Sequence, residues 1–247
     1  MSNVQAYLHH VAFVVYPYIC LSVFLMGSLA RFDRDQYTWK SDSSQLLRAG
    51  SLRWGSNLFH VGILFLFFGH FAGLLTPHWI YEHFITPQNK QLVAVYSGGT
   101  AGLVCFVGLS LLLHRRLFDP RIRLTSHRSD IAILLILWFQ LVIGLATLPL
   151  SLGHPDGSAM LALSDWAQRV VTLRPNADGL LNLDWPFKLH LVLGMTIFLL
   201  FPFSRLVHVW SGFATVAFLF RPHQLVRSRR LNLPASHNQP RQGSAHL

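Results

Sequence analysis

The stretch Asn57–Phe71 reads NLFHVGILFLFFGHF, fifteen residues with no Asp, Glu, Lys or Arg but with histidines at positions 60 and 70. In so apolar a run an imidazole must find a partner or forgo much of its hydration energy. An ionisable residue inside a membrane segment is therefore a candidate functional site. Working outward, the run belongs to the uncharged segment Gly55–Pro77. Similar segments cover Val4–Ala30, Gln91–Leu113, Ile131–Leu152 and Leu189–Ser204, the last continuing past Arg205 to about Phe220. Each approaches or exceeds the roughly 20 residues that cross the hydrocarbon core. With 52% hydrophobic and only 12% charged residues, the composition is that of an all-α membrane protein. The expected fold is a five-transmembrane-helix bundle over residues 1–226. A polar, basic tail over 227–247 has too little apolar content to fold alone.

The basic residues orient the bundle. Sixteen of the twenty lysines and arginines fall in the first connection, the third connection and the region from Arg205 onward; the exceptions are Lys90, Arg169, Arg174 and Lys188. The positive-inside rule then places the N-terminus outside, which is the periplasm if the membrane is a bacterial inner membrane, and the C-terminus in the cytoplasm. This asymmetry accounts for most of the formal net charge of +10, and with no groove-reading motif a nucleic-acid role is excluded. The first apolar segment lacks a charged leader region and reads as a retained helix. Cys20 and Cys105 both lie in apolar segments with no C-x-x-C or C-x-x-C-H, which argues against a structural disulfide, a thiolate metal cluster or covalent haem attachment.

Of fourteen histidines, His60, His70, His190 and His208 stand apart, a pair in the second apolar segment and a pair in the fifth. These two helices run antiparallel in a five-span bundle. His60 and His208 then share the cytoplasmic level, and His70 and His190 the outer level. At about 1.5 Å per residue the spacings are about 15 Å and about 27 Å, a mismatch that tilt and a kink at Pro202 must absorb. At about 100° per residue, 18 positions return to the same helical face and 10 positions miss it by about 80°. Both pairs can therefore address one inter-helix space. A planar haem iron accepts an axial histidine from each side, so the pattern predicts two b-type haems. Zinc would find only two ligands at each level, an incomplete tetrahedral site. Gly62, Gly69, Gly73 and Gly194 lie near the histidines and either admit a flat macrocycle or serve close helix packing.

Two haems across a bilayer make an electron path, which needs a donor and an acceptor. With no Rossmann fingerprint and no cluster ligands, the simplest pair is a lipid-soluble quinol and a cytoplasmic partner protein. Elsewhere, Thr76-Pro77-His78-Trp79 closes the second helix. The polar connection Phe32–Leu52 is expected on the cytoplasmic surface, and DWAQRVVTL is expected as a short amphipathic helix on the outer surface.

The motifs YPYIC, RFDRDQYTWKSDSSQ, SNLFHVGIL, GHFAGLLTPHW, RRLFDPRIR, DGSAML with DWAQRVVT, and KLHLVLGMTIFLLFPFSRLVHVWS together resemble the gamma subunit of membrane-bound respiratory nitrate reductase, from about Tyr16 to Arg227. The resemblance implies a dihaem cytochrome b of the bacterial inner membrane that oxidises quinol in anaerobic nitrate respiration. It would pass electrons to an iron–sulfur beta subunit and on to a molybdenum-containing alpha subunit, where nitrate is reduced. It also implies that His60 and His208 ligate the proximal haem, that His70 and His190 ligate the distal haem, and that quinol is oxidised near the latter, with Lys90 and Gly69 around it. The stretches MSNVQAYLHHV and LNLPASHNQPRQGSAHL carry no resemblance, so His9, His10, His237 and His246 receive no role. Arg205, one turn before His208, reads as a haem-propionate partner or as a marker of the interface. Two other functions fit the pattern. One is the cytochrome b anchor of a membrane hydrogenase or formate dehydrogenase; the other is a haem-free transporter or scaffold with histidines as proton relays.

Overall fold

The computed structural model describes residues 2–34 and 49–210, and these contain helices and no strand. α1 (Asn3–His10) opens with a capping box: the Ser2 hydroxyl accepts from the Gln5 amide and the Gln5 side chain accepts from the Ser2 amide. A π-turn at Val11–Val15 leads into α2 (Tyr16–Arg34). The irregularity has a cause, since Pro17 offers no N–H to the carbonyl of Phe13. That carbonyl accepts instead from the Trp166 indole at 2.9 Å, so the freed acceptor is satisfied.

α3 (Ala49–Leu75) stops ahead of Pro77, as the sequence predicts, and a single turn, α4 (His78–Tyr81), follows. Thr86 caps α5 (Pro87–Phe118) with Pro87 at its first position. Asp119 caps the short α6 (Pro120–Thr125). α7 (Arg128–Leu152), α8 (Ser158–Val171) and α9 (Trp185–Leu200) complete the described helices. Five spans are long and apolar enough to cross a membrane: Asn3–Arg34, Leu52–Leu75, Pro87–Phe118, Arg128–Leu152 and Trp185–Phe203. The expected polar surface connection falls mostly on residues 35–48, and the last turns of the fifth span and the basic tail fall on 211–247; these lie outside the described residues.

The extensive helix contacts form an open series, α3 with α5, α5 with α7, α7 with α9 and α9 with α2. Small residues allow the closest approach. A β-carbon on Gly62 would come 2.6 Å from that of Cys105, and one on Gly108 would strike the backbone of Phe59, so α3 and α5 pack backbone against backbone. Gly62 is thus a packing glycine. Trp138 of α7 donates to Ser110 of α5 at 3.0 Å, and Tyr16 of α2 bonds Thr196 of α9 at 2.8 Å. No contact of comparable extent joins α3 to α9. The α3 span is accordingly the least covered, with 6% of its apolar window buried.

The helix expected from DWAQRVVTL starts earlier, at Ser158, behind Gly157, whose φ of 78° and close approach to Pro87 both require glycine. Its apolar face does not rest on a surface alone. Trp166, Ala167 and Val170 join Phe13, Leu180 and Phe187 in the main buried cluster. Gln168 donates to the carbonyls of Leu74 and Thr76, among those that the end of α3 leaves open. The buried Gln91 does the same for α7, donating to Ser151 and His154 at 2.7 Å each, while its oxygen accepts from the Met160 amide. One end of the bundle is sealed in this way; the other carries Arg31, Arg115, Arg116 and Arg205.

Candidate histidine-paired site

α3 presents His60 and His70 on its uncovered face, and α9 with its continuation presents His190 and His208 opposite. The rings meet in the two pairs that the topology predicts. His60 and His208 have centroids 6.3 Å apart with planes at 75°, and His70 and His190 have centroids 6.2 Å apart at 35°. Because α3 and α9 do not pack closely, each pair spans a gap between helices.

Hydrogen bonds fix which nitrogen each ring offers. His60 Nδ1 donates to the Ser56 carbonyl at 2.7 Å, His70 Nδ1 to that of Leu66 at 2.7 Å, and His208 Nδ1 to that of Arg205 at 2.6 Å. A carbonyl can only accept, so Nδ1 carries the proton and Nε2 keeps its lone pair. His190 reaches the same tautomer differently. The Gln140 amide nitrogen donates to the His190 carbonyl at 3.1 Å and lies 3.3 Å from its Nε2, while His190 Nδ1 has no hydrogen-bond partner among the described residues. His60, His70 and His208 thus leave Nε2 open in the form that binds a metal, each oriented by the bond on Nδ1, whereas the His190 Nε2 faces the Gln140 amide, which a metal bound there would displace.

The donor set suits a metal that brings further ligands of its own. With metal–nitrogen bonds of about 2.0–2.1 Å, two imidazoles on opposite sides of one metal ion place their ring centroids about 6 Å apart. No group of three or more His, Cys, Asp or Glu suited to a bare ion occurs among the described residues. A haem supplies four ring nitrogens and leaves two axial positions, so the residues present fit it.

The surrounding residues divide. A β-carbon on Gly144 of α7 would lie 2.8 Å from His190 Cε1, so its absence seats the imidazole against α7; one on Gly194 would lie 3.2 Å from the Gln140 amide. Gly69 faces open space, with nothing within 4 Å of a β-carbon, and Gly73 meets only Met160 at 3.6 Å. Lys90, on the first turn of α5, has its Nζ 3.6 Å from the centroid of the Tyr81 ring and no hydrogen-bond partner among the described residues. The Tyr81 hydroxyl is likewise unpartnered there, and burial, then the Glu82 carboxylate, hold its phenol above the usual pKa. Arg205 donates to Asp130 Oδ2 at 3.2 Å, and Arg116 shares that oxygen at 3.4 Å.

Gln140, Gly144, Tyr81 and Asp130 escaped the sequence reading. Gln140 carried a signal, being a lone amide within the fourth apolar segment. Gly144 and Tyr81 carried none, because their roles depend on which helix lies opposite.

The model of the nitrate reductase gamma subunit family matches residues 9–229. The chain belongs to that family. It is 52% identical to the respiratory nitrate reductase 1 gamma chain of Escherichia coli (strain K12) over 218 residues, 88% of this chain and 96% of the relative. It is 51% identical to the respiratory nitrate reductase 2 gamma chain of the same strain over 226 residues, covering 91% and 99%. The nitrate reductase gamma chain of Bacillus subtilis (strain 168) is 37% identical over 216 residues, 87% of this chain and 96% of that one. The family match begins at His9, inside the stretch in which the sequence motifs show no resemblance. His9 also has a structural role, its Nε2 lying 3.0 Å from the Ala177 carbonyl in the loop after α8.

Proposed function

We propose that this gamma subunit is the quinol-oxidising cytochrome b of a respiratory nitrate reductase. His60 and His208 hold one haem b toward the cytoplasm, and His70 and His190 hold a second toward the outside. The observation that carries the reading is the pair of imidazole couples, at 6.2 and 6.3 Å, whose four rings share one tautomer. Bound haem supplies one-electron redox chemistry at two depths. The protein supplies axial nitrogens, ring orientation and an apolar setting.

Quinol is oxidised near the His70–His190 pair, with Gly69 leaving the backbone open and the Lys90 ammonium, braced on the Tyr81 ring, meeting a quinol oxygen. Its protons leave on the outer side. The arginine-rich side faces the cytoplasm under the positive-inside rule, where an iron–sulfur beta subunit and a molybdenum-containing alpha subunit receive the electrons and reduce nitrate. Membership of the nitrate reductase family favours this over a hydrogenase or formate dehydrogenase anchor.

The test uses the assembled complex in membranes. Added quinol should produce the absorbance of reduced b haem, and nitrate should then discharge it. A complex whose b-haem absorbance responds to neither reagent contradicts the proposal. Lys90→Ala should weaken quinol-driven activity by about 10- to 100-fold, the loss of a hydrogen bond to a charged group, with haem content intact. Unchanged quinol kinetics would remove Lys90 from the site.

A further inference from the structure

The helix that presents His190 does not reach His208 as a helix. α9 ends at Leu200, a 3-10 turn covers Phe201–Phe203, Ser204 is extended at φ −116° and ψ 175°, and a second 3-10 turn covers Arg205–Val207. Pro202 initiates the break, having no N–H for the helical ladder. Three residues from other helices then hold it. Gly27 of α2 makes room for the proline, since a β-carbon there would come 2.8 Å from Pro202 Cγ. Arg31, one turn further, donates to the carbonyls of Pro202 at 2.7 Å and Ser204 at 3.1 Å. Asp130, in the first turn of α7, accepts from Arg205 at 3.2 Å.

The contact with Asp130 leads directly to the imidazole. The residue whose side chain Asp130 holds is the residue whose carbonyl accepts from His208 Nδ1 at 2.6 Å. Asp130 also binds Arg116, which donates in addition to Ser126 at 3.1 Å. The carboxylate therefore joins α5, α7 and the broken segment. Its side chain is 15% exposed and that of Arg205 is 20% exposed, so the pair is sheltered from the screening that makes surface ion pairs nearly worthless. Partners one bond removed from a ligating histidine set its tautomer and direction, and losing one typically costs 10- to 100-fold in metal affinity or activity.

We propose that Asp130 is a positioning residue for His208. Through Arg205, and with Gly27 and Arg31 holding the other side of the break, it turns the imidazole toward His60. It also contributes the negative charge that offsets Arg205, next to His208, and Arg116 behind it on the same carboxylate oxygen. The inference rests on the reading of His208 as a haem ligand. It assigns Arg205 a partner within this chain.

The test is a redox titration of the assembled complex in membranes, followed by low-temperature electron paramagnetic resonance and optical spectroscopy, which separate two b haems. Asp130→Asn should shift the midpoint of the His60/His208 haem to more positive potential, as a negative charge is lost, and alter its resonance line shape. The His70/His190 haem, on the intact part of α9, should be unmoved. Asp130→Glu should restore most of the wild-type signature. If Asp130→Asn does not assemble, Gly27→Ala, which presses on Pro202 from the opposite side, should perturb the same haem alone. The inference is overturned if whichever of these variants assembles leaves both haem signals at wild-type values or moves the two equally. A wild-type complex without haem would instead refute the reading of His208 on which the inference is built.

Discussion

Gly144 lacks a side chain where His190 needs room, for a β-carbon would intrude to 2.8 Å from the imidazole. Gly144→Val should therefore displace His190 and remove the haem of the outer pair while sparing that of the His60/His208 pair. A pyridine haemochrome assay should fall from two haems per chain to about one; two haems retained with unchanged spectra would show that the ring has space to spare. His60, His70, His190 and His208 were legible in the sequence because charged and polar groups are so costly in apolar segments. Their partners were less so. Gln140 announced itself by polarity alone, whereas Gly144 resembled any other helix-packing glycine until α9 was seen against it. Gly62, close to His60 in sequence, proves to face Cys105 on the opposite side of α3.

Helix ends determine whether the bundle holds together, because the last carbonyls of each helix have no partner within it. Gln91 is 5% exposed and bonds two carbonyls at the end of α7 and an amide at the start of α8. Gln91→Leu strands the Met160 amide at about 1–3 kcal/mol and takes one of two donors from the Ser151 and His154 carbonyls, which keep the amides of His154 and Gly157. The detergent-solubilised protein should unfold at a clearly lower temperature; an unchanged midpoint would mean that water replaces the amide. The number and boundaries of the spans were readable from uncharged runs and Pro77. The break after Leu200 was readable only in part. Pro202 predicts a disturbance, but an 18-residue return to one helical face assumes an unbroken helix between His190 and His208. The rings converge because Gly27, Arg31 and Asp130 hold a non-helical segment, and such long-range contacts leave no periodicity in the chain.

At the scale of the whole molecule, an open series of helices leaves α3 and α9 facing each other across a gap, with imidazoles meeting at two depths. A sealed end and an arginine-rich end give the bundle polarity. The proposed orientation, in which the arginine-rich end is cytoplasmic, rests on the positive-inside rule. Cys20 and Cys105 are fully buried, so introduced cysteines report against a low background. In intact cells with a permeabilised outer membrane, Arg174→Cys should react with a membrane-impermeant thiol reagent and Ser244→Cys should not; the reverse pattern would invert the bundle. Family membership accounts for the membrane spans and the subunit role together, while the gap between α3 and α9 bears most directly on the proposed chemistry.

The most direct measurement is a reduced-minus-oxidised optical spectrum of the purified complex with a haemochrome count, for the wild type and for His60→Ala and His70→Ala. Two b haems per gamma chain, with each substitution removing or perturbing a different one, is the predicted result. A complex without b haem, or substitutions that leave both haems untouched, would contradict the assignment of the histidine pairs.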